Sequence, residues 1–379
     1  MTVRPMIPDE STATRAVARR CFGAFAMVFF DFGAQTLVCE EDGRILGGVA
    51  LGRFTAGARE CGVVKWIFTA PDAQGRGVAN HLLDAAMRWF DEEACTDVFA
   101  CIEGHNTPSS NRFHDAGFRP MGFREQIAHY GATLPRVWLK SFHVIDVGHF
   151  LWVRSLAGSA GEAVADEVAG DAADEAVGGP AVAAWALTVI ANAAILAGMT
   201  LRTGGTGALT AERSLALLIA VTLLFGVRTL AMLVTARMVG LPVWYRPWET
   251  GIVLSGLVGL VFGGIFPVPG SVYPRALRWR YRDLLPKLGP IAAVGAGELV
   301  SLGWVLWALT RVVDPGVGWY AALSTAAALT RVMLVFDVVL PVFPLVCYNG
   351  RRVLDWKPVV WALLSAASLA LLVVNAVVR

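Results

Sequence analysis

The stretch Val64-Lys-Trp-Ile-Phe-Thr-Ala-Pro-Asp-Ala-Gln-Gly-Arg-Gly-Val-Ala79 decides the fold of the first part of the chain. It begins inside a β-branched and aromatic run, Gly62–Thr69, which is too short for a helix and is bounded by Gly62 and Pro71. It ends in a helical stripe over Val78–Glu92. Apolar residues stand at 78, 79, 82, 83, 86, 87, 89 and 90, with Asn80, Asp84, Arg88 and Asp91 on the other face. A strand, a glycine-bearing turn and a helix N-terminus gather several backbone N–H groups around one point. The helix dipole adds positive potential there, which makes a seat for a pyrophosphate. Gly75 and Gly77 let the backbone approach the oxygens without a Cβ. A glycine turn that serves packing alone is the alternative reading.

Around this core the pattern alternates between strand and helix. Thr36–Glu40 and Arg44–Leu51 read as strands joined through Asp42-Gly43, a hairpin signal. Asp97–Ile102 returns to strand, and Pro108–Ala116 reads as a short helix stopped by Gly117. Mixed elements over this length predict one α+β domain, residues 1–156. The opening Met1–Glu10 is polar and contains proline, so no signal peptide is read there and the domain is expected in the cytoplasm. Five of the six cysteines fall in the first 101 residues without paired spacing, against a disulfide-built secreted domain.

Gln74-Gly-Arg-Gly-Val-Ala79 fits Q/R-x-x-G-x-G/A, and Asn106 lies eleven residues before Gly117-Phe118. On these motifs residues 1–143 resemble the GNAT acetyltransferase superfamily. The resemblance implies a splayed mixed sheet that binds acetyl-CoA. Gln74, Gly75, Arg76, Gly77, Val78 and Ala79 would hold the pyrophosphate, Asn106 would lie near the pantetheine arm, and Phe68, Thr69 and Ser109 would also belong to the cofactor site. One departure matters. The superfamily often carries a Tyr four residues before the Gly of its GF pair, to protonate the leaving thiolate, and this chain has Phe113 there. A base for the acceptor amine is sought at Glu103, at the end of the next strand, or at Glu60, just before the cofactor strand. For each, a solvated strand-end carboxylate is the plainer reading. His143 and His149 are read as structural. The aromatic run around them, SFHVIDVGHFLW, either rests on a membrane surface or closes the domain core.

The 379 residues are 56% hydrophobic and only 16% charged, too apolar for a soluble enzyme of this length. The charge divides unevenly. Residues 1–157 carry a net charge of −1, residues 158–180 carry six acids and no base, and residues 181–379 carry a net of +9. Residues 157–180, rich in Ala, Gly and acid, read as a flexible tether, with a frayed helix as the alternative. Beyond Pro180 come long apolar stretches: Pro180–Leu201, Ser214–Ala236, Thr250–Pro274, Leu288–Thr310, Gly316–Leu345 and Val359–Val378. Six full crossings would put Arg275–Lys287 and Arg351–Lys357 outside, against the positive-inside rule. Five crossings, with the Gly- and Pro-rich Thr250–Pro274 re-entrant, keep every basic cluster cytoplasmic.

Three segments of residues 181–379 resemble the site-2 protease family of intramembrane metalloproteases. They are Phe225–Arg246, Gly289-Pro-Ile-Ala-Ala-Val-Gly295 and Phe336–Trp356 with its Asn349-Gly-Arg-Arg. Zinc hydrolysis on that frame needs two His at i and i+4, a Glu base and a later Asp. At the matching positions stand Arg228, Thr229, Met232 and Asn349, and no His follows residue 149. No metal site is therefore expected. Arg228 is expected to pair with Glu298 or Asp337, because an unpaired charge inside a membrane is costly; a ligand-binding polar cavity is the alternative.

The fold class expected is α+β, a GNAT-like mixed β-sheet with flanking helices, followed by an α-helical polytopic membrane domain. Function is expected to be acetyl transfer from acetyl-CoA to an amine on a small molecule or protein, by direct attack on the thioester. The partners expected are the lipid bilayer and a membrane protein, with no nucleic acid. The rival from another class is a non-catalytic acetyl-CoA sensor whose membrane half binds a protein without cleaving it.

Overall fold

The computed structural model describes residues 1–143, 147–156, 181–342 and 345–378. The acidic tether 157–180 and residues 144–146 of the aromatic run lie outside the described residues. The chain divides into two compact units.

The first unit is a seven-stranded sheet with helices. In chain order it holds β1 (Thr2–Pro5), α1 (Ser11–Cys21), α2 (Ala24–Val28), β2 (Gln35–Glu41), β3 (Arg44–Ala56) and β4 (Arg59–Thr69). Then follow α3 (Val78–Glu92), β5 (Asp97–Glu103), α4 (Thr107–Asp115), β6 (Arg119–Pro120), α5 (Phe123–Tyr130), α6 (Leu134–Lys140) and β7 (His149–Ser155). The strand order is β1-β2-β3-β4-β5-β7-β6. β1 to β4 form an antiparallel meander, and β4 then pairs β5 in parallel. The β2–β3 turn is made by Asp42 and Gly43, both at positive φ (51° and 76°), as a two-residue hairpin of the primed type requires. On one side of the sheet Phe54, Phe99, Tyr130, Leu134, Val137 and Leu151 form a core with α5 and α6. α3 packs closely enough that a Cβ on Gly62 would lie 2.4 Å from the Phe90 ring. The α+β expectation for this half agrees with the observed fold.

The second unit is helical: α7 (Ala181–Gly204), α8 (Ala211–Met238), α9 (Glu249–Leu257), α10 (Tyr281–Val312), α11 (Tyr320–Leu334), α12 (Asn349–Trp356) and α13 (Pro358–Val377). Two short strands, β8 (Val243–Arg246) and β9 (Ser271–Pro274), complete it. Five helices are long and apolar enough to cross a membrane: Val182–Gly204, Ala211–Met238, Tyr281–Val312, Tyr320–Val339 and Pro358–Val377. The sixth apolar stretch behaves differently. α9 and a π turn over Val258–Phe262 form a short apolar helix, and the chain then returns in extended form to β9. β8 and β9 pair antiparallel from Val243–Pro274 to Arg246–Ser271, so the excursion begins and ends at one place.

The extended return has no helical hydrogen bonds, and side chains take their place. Ser255 Oγ donates to the Phe266 carbonyl at 2.6 Å, Tyr348 OH to Pro267 at 2.6 Å and Tyr245 OH to Pro269 at 2.6 Å. Asn192 from α7 donates to the Val268 carbonyl at 3.1 Å and accepts from its N–H at 3.2 Å. Arg228 Nη1 donates to Gly270 at 3.1 Å. Five successive carbonyls are thus satisfied, the condition for non-helical backbone in an apolar surrounding.

Arg228 itself is fully buried and forms a two-pronged ion pair with the equally buried Asp337, at 3.1 and 2.8 Å. Of the two partners considered for it, Asp337 is the one it meets; Glu298 is exposed. Asn349 donates from Nδ2 to Asp337 at 2.9 Å and from its backbone N–H at 3.3 Å. Met232 lies 3.7 Å from Asn349 Nδ2, and a Cβ on Gly295 would sit 2.6 Å from Met232. The three segments singled out in the sequence therefore converge on one polar point.

Residues 103–107 cluster with this unit. His105 is half-buried there, and desolvation together with the Arg352 charge lowers its pKa to about 4.

Two predictions follow from these buried charges. Asp337→Asn or Arg228→Met alone should cost about 3–5 kcal/mol, because each strands one buried charge. Arg228→Met with Asp337→Leu should recover most of that loss in thermal unfolding of the detergent-solubilised chain. An unchanged Tm in either single variant would contradict the pairing. For His105, the unfolded chain takes up a proton below the ordinary histidine value of about 6.5, whereas the folded chain resists it down to about 4. Stability should therefore fall as pH drops through that window. His105→Gln should flatten that part of the Tm–pH profile; an identical slope in both proteins would count against it.

Candidate active site

The site follows from how two parallel strands stop pairing. β4 and β5 match at only four positions, Cys61–Asp97, Gly62–Val98, Val63–Phe99 and Val64–Ala100. Beyond them β4 stays with β3 as far as Thr69, while β5 runs on to Glu103. A cleft between strand edges opens after Val64 and Ala100, and the 64–79 stretch carries one wall of it into the α3 N-terminus.

That N-terminus carries the loop expected for a pyrophosphate. Gly75 and Gly77 have φ of +80° and +83°, and a Cβ at either would meet nothing within 4 Å, so the loop faces open space. Gly77 is the N-cap of α3 in the left-handed conformation and contributes no side-chain cap. Among the described residues, no acceptor takes the N–H groups of Gly75, Gly77, Val78 or Ala79. Those N–H groups and the helix dipole form the polar surface an anion needs. Gln74 and Arg76 are exposed, and Arg76 forms a surface ion pair with Glu41 at 2.5 Å that lowers the Glu41 pKa. Such a pair is weakly held in water.

The other expected residues divide. Phe68 is buried in an aromatic cluster with Phe22 and Phe30. Thr69 ends β4, and its carbonyl accepts from Cys21 Sγ at 3.2 Å. Asn106 is exposed in the turn after β5, its N–H bonded to the Glu103 carbonyl, and Ser109 is half-buried on α4. Phe113 is buried against Phe118, ring centres 5.0 Å apart.

Neither candidate base is well placed. Glu60 accepts from Thr55 Oγ1 at 3.1 Å at the paired end of β4, about 30 Å along the strand from Thr69. Its closeness to the cofactor strand in sequence therefore does not bring it near the 74–79 loop. Glu103 does end β5, but it is engaged by the backbone N–H of His105 at 2.9 Å, with the His105 ring 3.2 Å away. Burial raises its pKa, but the bonds and charge of His105 outweigh this and leave it lowered, which makes a weaker base.

Sequence reasoning missed two side-chain pairs beside the cleft. Lys65, the first residue of β4 past the paired region, bonds both oxygens of Asp31 at 2.9 and 3.0 Å. Cys101, the first residue of β5 past it, lies with Sγ 3.2 Å from Nδ1 of the buried His143. From sequence His143 reads as structural, and nothing local to Cys101 signals a partner 42 residues away.

Comparison with known proteins adds the following. Residues 7–118 match the acetyltransferase (GNAT) family. Over 121 residues the chain is 32% identical to a putative zinc metalloprotease of Methanocaldococcus jannaschii, which covers 31% of this chain and 58% of that protein. The chain thus spans a little over half the length of that curated relative. Among solved structures, the ribosomal-protein-alanine N-acetyltransferase of Brucella melitensis is 17% identical, covering 41% of this chain and 100% of its own, with a TM-score of 0.32. A GNAT family acetyltransferase from the same organism, in complex with acetyl-CoA, is 19% identical over 31% of this chain and 82% of its own, with a TM-score of 0.26. The N-terminal part of the chain is a GNAT acetyltransferase domain, followed by helices apolar enough to span a membrane.

Proposed function

We propose that the chain is a membrane-anchored N-acetyltransferase that moves an acetyl group from acetyl-CoA to an amine on a membrane-associated small molecule or protein. The observation that carries this is the set of unengaged N–H groups at Gly75, Gly77, Val78 and Ala79, beside the cleft between β4 and β5. Acetyl-CoA is the substrate, and its pyrophosphate fits that cradle because the two glycines present no Cβ and the α3 dipole favours negative charge. Arg76 exchanges Glu41 for a phosphate oxygen. Backbone N–H groups past Val64 polarise the acetyl carbonyl, a role that needs no particular side chain. The match of residues 7–118 to the acetyltransferase (GNAT) family supports the choice of substrate.

In the second unit, five helices cross the membrane and 249–270 enters and leaves on one side, in keeping with the β8–β9 pairing. The first unit and the basic residues 275–287 and 351–357 then share the cytoplasmic face. The polar point at Arg228, Met232, Asp337 and Asn349 stands where the protease frame would hold a metal. A guanidinium there repels a cation, so this unit anchors the transferase or recognises a membrane-bound acceptor without cleaving it.

A second reading, an acetyl-CoA sensor, is favoured by one observation: Phe113 is packed against Phe118 and offers no proton for a departing thiolate. Release of CoA by the purified full chain, followed chromatographically with peptide N-termini, lysine peptides, polyamines and amino sugars, separates the two. The transferase predicts amine-dependent release that falls at least ~100-fold in Gly75→Glu, Gly77→Glu, since one misplaced positioning contact costs about that much. Binding of acetyl-CoA without release for any amine would favour the sensor.

A further inference from the structure

Cys101 and Lys65 occupy equivalent places on neighbouring strands, each one residue past the last matched pair, Val64–Ala100. Side chains alternate along a strand, so Cys101 shares the face of Phe99, on the side of the sheet covered by α5 and α6. There its Sγ lies 3.2 Å from His143 Nδ1. The imidazole is held in place. Its backbone N–H donates to the Trp138 carbonyl at 2.9 Å, and its ring stands edge-on to Trp138 at 5.8 Å. Trp138 Nε1 donates to Gln126 Oε1 at 2.8 Å, and Gln126 donates to the Met121 carbonyl at 2.9 Å. His143 and Gln126 are both fully buried, whereas Cys101 is partly open. Cys101 is therefore the more open member of the pair, with Nδ1 of the ring directly behind its sulfur. Phe142, just before the histidine, holds a left-handed φ of 59°, rare for a bulky residue and typical of constrained functional positions.

We infer that Cys101, activated by His143, is a nucleophile that carries the acetyl group as a thioester between acetyl-CoA and the amine. The inference rests on the acetyl-CoA reading above and replaces the direct attack expected from sequence with two transfers. In the first, the thiol proton passes to His143 Nδ1 as Sγ bonds the acetyl carbon. The bond from that carbon to the CoA sulfur breaks, and the departing thiolate takes the proton from His143. In the second, the amine nitrogen bonds the acetyl carbon and the bond to Sγ breaks. The proton lost by the amine passes through His143 to the Cys101 thiolate. The arrangement, a thiol beside a base that a third group orients, is that of activated nucleophiles in general. It also answers the missing hydroxyl at Phe113, because His143 supplies the proton for CoA. No other cysteine competes: Cys39, Cys61, Cys95 and Cys347 are buried, and Cys21 donates to the Val17 and Thr69 carbonyls.

The test uses the full chain in detergent with acetyl-CoA and no amine, quenched in acid and mapped by peptide mass spectrometry. An acetyl group on Cys101, released by hydroxylamine and discharged by an amine that supports turnover, is the expected result. It should be absent in Cys101→Ala and formed ~100-fold more slowly in His143→Gln, the scale of a lost general base. Calorimetric binding of CoA should persist in both variants, which separates lost chemistry from lost folding. CoA binding with no adduct on Cys101 would overturn the inference and leave the transferase standing. An adduct that no amine discharges would also overturn it, as a side reaction. Failure to bind CoA at all would remove this inference together with the reading beneath it.

Discussion

A backbone N–H or C=O removed from water must find a partner, and the two halves of this chain meet that demand in opposite ways. In the first unit the demand is left open where β4 parts from β5 and leads into α3. β4 and β5 give up their ladder after Val64 and Ala100, and the first N–H groups of α3 have no acceptor among the described residues. Such a surface suits an anion. In the second unit every carbonyl from Phe266 to Gly270 is closed by a side chain, from Ser255, Tyr348, Asn192, Tyr245 and Arg228 in turn. One unit leaves polar groups open; the other uses them to hold irregular backbone among apolar helices.

Arg228 links both parts of the second account. Its guanidinium closes the last of those carbonyls and pairs with Asp337, which in turn holds Asn349. The segments carrying Arg228, Asp337 and Asn349 are tied together here by a buried ion pair and its hydrogen bonds.

Much of the first unit could be read from its residues. The 3.6 period over Val78–Glu92, the Asp42-Gly43 turn and the glycines at 75 and 77 are local signals, and each appears where its local physics puts it. Long-range partners were harder. Arg228 had two acids to choose between in sequence, and only packing selects Asp337 over the exposed Glu298. Glu60 looked close to the cofactor strand because sequence does not say which end of a strand pair opens. Cys101 and His143 belong to elements joined only through the tertiary fold, with α5 and α6 between them. The β8–β9 pairing was illegible for the same reason. Two four-residue strands separated by a helical excursion carry no periodic signal, although the charge asymmetry had already favoured a return to the same side.

The central claim is that the 74–79 loop holds the pyrophosphate of acetyl-CoA. Isothermal titration of the full chain in detergent with acetyl-CoA, beside the Gly75→Glu, Gly77→Glu variant, tests it most directly. Saturable binding that the variant loses while keeping its Tm is the predicted result, because two carboxylates would stand where the phosphates sit. Equal binding by both proteins, or none by the unaltered chain, would contradict it.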